Sequence, residues 1–358
     1  MALWEALMTK VLRLEPGADR EQMLGEAGRV LARGGLCAFP TETVYGLAVN
    51  RDAPAAVARL GEVKRRAPEK NYTLMLADKQ DVARHVSKVP LAARKVIQRF
   101  WPGPLTIVFG DEGEEGLGIR VPASATAREI IRKAGVPALV TSANVAGQAP
   151  PTDAAMVLAA LDGQIDLLVD EGETRLKEPS TVVRFRSGRW EMLREGLISH
   201  DMIAKQAHVM IVFVCTGNSC RSPLAEVICR KLIAEKLECS MDELEDYGYT
   251  VLSAGTEAMP GMHASEEARI TARDYGCSLA DHTTRPLTEK LVRDADRIYT
   301  MTMSHLRCIE KILPEASEKV SMLADNDIPD PIGGGMEDFK KCAEKIEAVL
   351  KNVLDKVL

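Results

Sequence analysis

Nowhere in its 358 residues does the chain pair two of its eight cysteines as C-x-x-C. That absence removes the usual zinc framework, and scattered thiols in a long chain without a secretory signal point to reduced cysteines in a cytoplasm. No uninterrupted apolar run approaches the ~20 residues that cross a bilayer, and Met1 to Lys10 contains an acid and no long apolar stretch. A soluble, cytoplasmic protein with no membrane partner is expected. A basic surplus is missing as well: residues 1–207 carry 28 Lys and Arg against 26 Asp and Glu, and residues 208–358 carry 18 against 26. Net charges of +2 and −8 give no bulk electrostatic drive toward nucleic acid.

What is present exceeds one comfortable hydrophobic core, so two domains are expected, 1–207 and 208–358. In the first, helical spacing over 21–35 ends at Gly34-Gly35, and Leu36 to Pro40 reads as a strand stopped by proline. Thr41 to Leu47 reads as a polar turn. Further strands are expected at Tyr72–Leu76, Leu105–Phe109, Ala138–Thr141, Leu167–Val169 and Thr181–Phe185, with helices at 54–63, 91–99 and 124–133. This is a mixed α/β sheet with helices. In the second, strands at 209–214, Thr250–Ser253 and Arg297–Met301 alternate with helices at 264–275, 288–294 and 336–357, which predicts a doubly wound parallel sheet.

The apolar run Val209 to Val214 leads into Cys215-Thr216-Gly217-Asn218-Ser219-Cys220-Arg221-Ser222, and Pro223 then opens a helical pattern. A buried strand, a compact loop and a helix start place the thiol of Cys215 before backbone N–H groups and the positive end of a helix. Arg221 adds a fixed fork for the oxygens of a phosphate-like anion, and the thiol is expected to act as a thiolate nucleophile. Cys, five residues and Arg would by itself arise by chance roughly 0.4 times in such a chain. The strand, the glycine, Ser-Pro and the helix in order give it its weight.

Those residues, with Asp330-Pro331 followed by Ile332-Gly333-Gly334-Gly335, resemble the low-molecular-weight protein tyrosine phosphatase family over 209–357. The resemblance implies that Cys215 attacks phosphorus and that Asp330 protonates the leaving group and then activates water. Arg221 and the loop N–H groups would stabilise the equatorial oxygens, Ser222 would donate to the sulfur, and Asn218 would brace the loop. Tyrosine-specific members carry a bulky aliphatic residue at the position of Ser219 and rings after Asp-Pro. Ser219 and the glycines here are similar instead to the protein-arginine phosphatase branch, where a small hydroxyl residue accommodates a guanidinium. Phosphotyrosine is the alternative substrate. Arsenate reductases of the same fold share the loop but need two further cysteines about seven residues apart, and Thr300 to Leu313 holds only Cys308. Cys220 either packs or forms a reversible disulfide with Cys215.

In the first half stand Pro40-Thr41-Glu42-Thr43-Val44-Tyr45-Gly46-Leu47, Lys64-Arg65-Arg66, Gly118-Ile119-Arg120-Val121-Pro122, Thr141-Ser142-Ala143-Asn144, Pro179-Ser180-Thr181 and Arg194-Glu195-Gly196. In that order they resemble the YrdC-like threonylcarbamoyl-AMP synthases, whose hallmarks are Lys-x-Arg and Ser-x-Asn. The resemblance implies that threonine and bicarbonate give a carbamate that attacks the α-phosphorus of ATP, with Mg²⁺, and an indirect link to tRNA modification. Lys64, Arg66 and Arg194 would supply positive charge, Ser142 and Asn144 would bind phosphate or ribose, and Thr41, Arg120 and Ser180 would grip threonine. Catalysis would consist of positioning and charge neutralisation. Ala67-Pro68 and Asn71-Tyr72-Thr73-Leu74 depart from the commoner family pattern and resemble the YciO-like branch. A nucleotide- or RNA-binding module without synthase activity is the alternative for this half. Neither half has an assigned metal ligand, and the phosphatase-like half implies phosphorylated proteins as partners.

Overall fold

A computed structural model describes residues 8–65, 72–110 and 116–358. The chain clusters into two units. One runs through Val89 and then takes Ala93–Arg186 and Trp190–Ile203; the other takes Pro90–Ala92, Ser187–Arg189 and Ala204–Leu358.

The first unit is built on a ten-stranded mixed sheet. Its strands are β1 (Lys10–Arg13), β2 (Cys37–Pro40), β3 (Tyr45–Asn50), β4 (Thr73–Met75), β5 (Leu105–Phe109), β6 (Leu117–Arg120), β7 (Ala138–Ser142), β8 (Leu167–Asp170), β9 (Thr181–Arg186) and β10 (Arg189–Arg194), in the order β1-β8-β2-β3-β7-β4-β6-β5-β9-β10. Helices α1 (Arg20–Ala32), α2 (Pro54–Lys64), α3 (Leu91–Phe100), α4 (Ala125–Ala134) and α5 (Ala154–Leu161) accompany it, and α6 (His200–Ala207) contains the division between the units at Ile203 and Ala204. Alternation along β2 shows why both faces need cover. Cys37 and Phe39 join a core with Leu24 and Leu31 of α1 and Ile130 of α4, while Leu36 and Ala38 join another with Leu60 of α2 and Val157 of α5. The first of these faces needs α1 close to α4, since a Cβ on Gly28 would lie 2.8 Å from the Lys133 Cβ.

One expectation is corrected here. Thr41 to Leu47 is not a turn throughout, because the turn ends at Val44 and Tyr45–Asn50 is a strand buried along its whole length. It pairs antiparallel with β2 and β7. Tyr45, Leu47 and Val49 face one core and Ala48 the other, so the polar-apolar alternation of a half-exposed strand is missing.

The second unit contains β11 (Val209–Cys215), α7 (Arg221–Leu237), β12 (Tyr249–Gly255), α8 (Glu266–Asp274), α9 (Glu289–Asp294), β13 (Arg297–Thr300), α10 (Met303–Ile312), β14 (Val320–Met322) and α11 (Met336–Val357). Its four strands are parallel in the order β12-β11-β13-β14, the doubly wound arrangement expected. After β11 the chain lays β12 on one side and later β13 on the other. That reversal opens a crevice at the carboxyl end of β11, where open α/β sheets bind ligands, and Cys215 is its last residue. Among the described residues, no helix is long and apolar enough to cross a membrane.

Candidate active sites

The loop from Cys215 to Ser222 is held from several sides. Asn218 takes a left-handed φ of 56°, a conformation that asparagine tolerates better than most residues. Its Nδ2 donates to the hydroxyls of Ser222 (3.0 Å) and Ser253 (2.8 Å), and its Oδ1 accepts from the Arg285 N–H at 2.7 Å. The Cys215 Sγ lies 2.9 Å from the Ser222 Oγ. Among the described residues, the N–H groups of Gly217, Asn218, Ser219 and Cys220 donate to no protein acceptor. Cys220 is the N-cap of α7, and its side chain caps none of the helix N–H groups. These donors converge beside a thiol at a helix start, which is an anion cradle.

Arg221 is nearly buried, with its side chain 5 % exposed against 39 % for Asp330, and the two form an ion pair through Nη2 and Oδ2. Nη1 donates to the Ile328 carbonyl at 3.1 Å, and the buried Nε has no partner among the described residues. The carboxylate is thus tied to the guanidinium that faces the cradle, and Oδ1 accepts from the Ile332 N–H at 3.2 Å. Ser219 Oγ lies 3.6 Å from the Cys220 Sγ. Burial pushes the Cys220 thiol up, and Cys215 and Cys220 are both free thiols. Three supporting residues escaped the sequence reading: Ser253, His305 and Gly255. A Cβ on Gly255 would stand 2.4 Å from the Thr216 carbonyl oxygen and 2.8 Å from the Asn218 nitrogen, so only glycine fits there.

The first unit has a cleft of about 620 Å³, within the usual range for small-ligand sites of ~300–1,000 Å³. Thr41, Arg120, Ser142, Ser180 and Arg194 line it. Arg120 reaches it through a buried ion pair with Glu42 at 2.7 Å, a bond to the Thr43 hydroxyl at 2.9 Å and another to the Gly103 carbonyl at 3.3 Å. Arg194 donates through Nε to the Ser180 carbonyl (3.0 Å) and through Nη2 to its hydroxyl (3.3 Å). Burial first, and the charge of Arg120 second, push Arg194 below its ordinary value. In both arginines Nη1 has no acceptor among the described residues. Two guanidinium groups therefore offer donors to an anion in one cleft.

Lys64 and Asn144 are brought together, and neither is among the residues that line the cleft. The Lys64 ammonium donates to the carbonyl of Ser142 at 2.5 Å, to the carbonyl of Asn144 and to its Oδ1 at 3.1 Å. Asn144 Nδ2 donates to the Gln148 carbonyl at 2.6 Å. An ammonium has three donors, and in this structure Lys64 braces the Ser142–Asn144 loop with them. Thr41 is likewise engaged, its hydroxyl donating to the Val44 carbonyl at 2.7 Å and accepting from the Thr43 N–H at 3.1 Å. Arg66 lies outside the described residues.

Comparison with known proteins supplies the family assignment. Residues 29–196 match the Sua5–YciO–YrdC family model, described as telomere recombination, and residues 210–358 match that of the low molecular weight phosphotyrosine protein phosphatases. The chain joins a YrdC-type domain to a low-molecular-weight phosphatase domain. The YrdC-type half is 33 % identical over 196 residues to the threonylcarbamoyl-AMP synthase of Bacillus subtilis (strain 168), a match covering 52 % of this chain and 57 % of that one. The chain thus spans little more than half the length of that curated relative. A solved double-alanine variant of Pyrococcus abyssi Sua5 is 22 % identical, with a TM-score of 0.52 over 88 % of this chain and 98 % of the other; it is a likeness of fold. For the phosphatase domain, the YwlE arginine phosphatase of Geobacillus stearothermophilus is 30 % identical, covering 42 % of this chain and 92 % of that one, with a TM-score of 0.36.

Proposed function

We propose that the chain is a bifunctional cytoplasmic enzyme whose second domain is a cysteine-dependent phosphatase of phosphorylated proteins. The observation that carries this reading is the convergence of Cys215, the unpartnered loop N–H groups and Arg221, with Asp330 on the guanidinium. In the first step the Cys215 sulfur attacks phosphorus, the bond to the leaving group breaks, and Asp330, protonated and off the guanidinium that now holds the phosphoryl oxygens, gives that group its proton. Asp330, now a carboxylate, takes a proton from water as the water oxygen attacks the phosphocysteine and the P–S bond breaks. Arg221 and the loop amides hold the three non-reacting oxygens throughout. Ser222, which already touches the sulfur, stabilises it as it leaves.

The substrate favoured is phosphoarginine. Ser219 presents a small hydroxyl at the loop, and the exposed Ile332 after Asp330-Pro331 is followed by three glycines, so no aromatic pair is available to sandwich a phenyl ring. The test compares phosphoarginine and phosphotyrosine peptides at equal concentration, and faster tyrosine dephosphorylation would overturn the choice.

For the first domain the reading is ATP-dependent synthesis of threonylcarbamoyl-AMP from threonine and bicarbonate, which would feed tRNA modification. The two guanidinium groups of Arg120 and Arg194 in one hydroxyl-lined cleft support it. Arg120 Nη1 suits the threonine carboxylate and Ser180 its hydroxyl, leaving Arg194 for the phosphates. No carboxylate lines the described part of the cleft, so Mg²⁺ would arrive on the triphosphate as part of the substrate. Release of pyrophosphate that depends on both threonine and bicarbonate is the expected result. Nucleotide binding without that release would leave a binding module instead.

A further inference from the structure

His305 is 5 % exposed and lies in the first turn of α10, beside the carboxyl end of β13. Its Nε2 lies 2.9 Å from the Thr216 Oγ1, and its Nδ1 lies 2.8 Å from the Thr302 Oγ1. The Thr216 hydroxyl also receives the Arg221 Nη2–H at 3.4 Å. Thr302 has a second hydroxyl neighbour, Ser304, at 2.7 Å.

We propose that neutral His305 is a positioning residue of the phosphatase site, fixing the Thr216 hydroxyl so that its lone pair faces Arg221 and holds the guanidinium toward the anion. The inference rests on the phosphatase reading of the Cys215 loop. The proposed tautomer leaves each partner satisfied: Nδ1–H donates to Thr302, which passes its own hydrogen to Ser304, and Nε2 accepts the Thr216 O–H. The Thr216 oxygen then has no hydrogen directed at Arg221 and can only accept from it. A protonated ring would aim a second N–H at that oxygen and force its hydrogen elsewhere.

Three conditions keep the ring neutral. Burial pushes His305 below its ordinary value, the Arg221 charge adds to this, and the nearby Asp327 and Asp330 oppose it without prevailing. The first turn of a helix also disfavours a cation. Asp327 is itself engaged there, accepting the Met303 N–H at 2.9 Å.

The test measures inorganic phosphate binding by calorimetry on the full chain, together with phosphopeptide turnover. Thr216→Val and His305→Leu should each weaken phosphate binding by roughly three- to tenfold, the value of one lost hydrogen bond. The double variant should be no worse than either single one, since the two groups act in series. His305→Gln, whose side-chain oxygen can accept from Thr216, should recover most of the loss. Additive losses, or a Gln variant as weak as a folded Leu variant, would overturn the proposal. If His305→Leu does not fold, Thr216→Val and His305→Gln still decide: the first must weaken binding and the second must retain it. A wild-type protein that binds phosphate in this pattern yet cleaves no phosphopeptide would remove the phosphatase reading and leave the positioning role intact.

Discussion

Replacing Glu42 by Gln tests whether the cleft of the YrdC-type domain is built on a buried charge pair. The Glu42 and Arg120 side chains are 4 % and 7 % exposed, and their 2.7 Å contact is reinforced by the Ser124 N–H, which donates to the second carboxylate oxygen at 3.2 Å. Glutamine keeps the volume and one acceptor but removes the charge, leaving the Arg120 guanidinium buried with only neutral acceptors. Removing one partner of a buried pair costs about 3–5 kcal/mol. Since Gln still offers an oxygen, the lower end, about 3 kcal/mol, is expected. In a unit of this size each kcal/mol lowers Tm by about 2–4 °C, so the transition should fall by roughly 6–12 °C. Scanning calorimetry of the full chain at several pH values is the assay. Burial alone would raise the pKa of Glu42, but attraction to Arg120 and the hydrogen bonds it accepts bring it below the ordinary value. Its contribution is therefore complete above the unfolded value of about 4.3 and is lost as pH falls through the lower folded value. The gap between wild type and Glu42→Gln should be constant near neutrality and close below about pH 4. A gap under about 1 kcal/mol at pH 7, or one that widens on acidification, would refute the reasoning.

Cys215→Ser should abolish phosphatase turnover. Asp330→Asn should lower it by roughly 10²- to 10⁴-fold, most for poor leaving groups, as stopped-flow phosphate release would read. Wild-type rates in either variant would end the assignment. Lys64→Met leaves the two loop carbonyls and the Asn144 amide oxygen without their donor, a loss of about 1–3 kcal/mol for each acceptor that stays buried and unpaired; denaturant midpoint and ATP affinity should both fall. A drop in ATP affinity at full stability would instead mean that Lys64 touches the nucleotide. Ser219→Ile should lower the ratio of kcat/KM for phosphoarginine to that for phosphotyrosine peptides, and an unchanged ratio would free Ser219 of substrate selection.

Much of the second domain was legible in its sequence because its signals are local. The apolar run before Cys215 and the long amphipathic helix at the end, found as Met336–Val357, declare themselves within one element. The Cys215 loop also carries its own turn and helix-start residues. Legibility failed where a neighbour distant in sequence decides. Lys64 reads from its own segment as a cation for a ligand, and its bonds to the carbonyls at Ser142 and Asn144 are visible only in the fold. β3 was missed because both of its faces are covered, which erases the period-2 pattern that marks a half-exposed strand. His305 follows the strand whose Thr300 pairs with Val214, and nothing within its own segment marks it as a neighbour of Thr216. Arg120 is legible as a basic residue in a motif, whereas its capture by Glu42 depends on a fold that joins two distant segments.

The parallel register that sets Cys215 beside Gly255 also bears on how this loop can be moved or redesigned. Its eight residues do not form a portable cassette, because the floor they rest on belongs to the next strand, where the missing side chain leaves room for the Thr216 carbonyl. A graft that carried Cys215 to Ser222 into another parallel sheet would need a glycine at the matching end of the adjacent strand, and a Ser253 equivalent two residues before it to hold Asn218. The transferable unit is therefore a pair of strand ends, one bearing the nucleophile and the other acting as its mould.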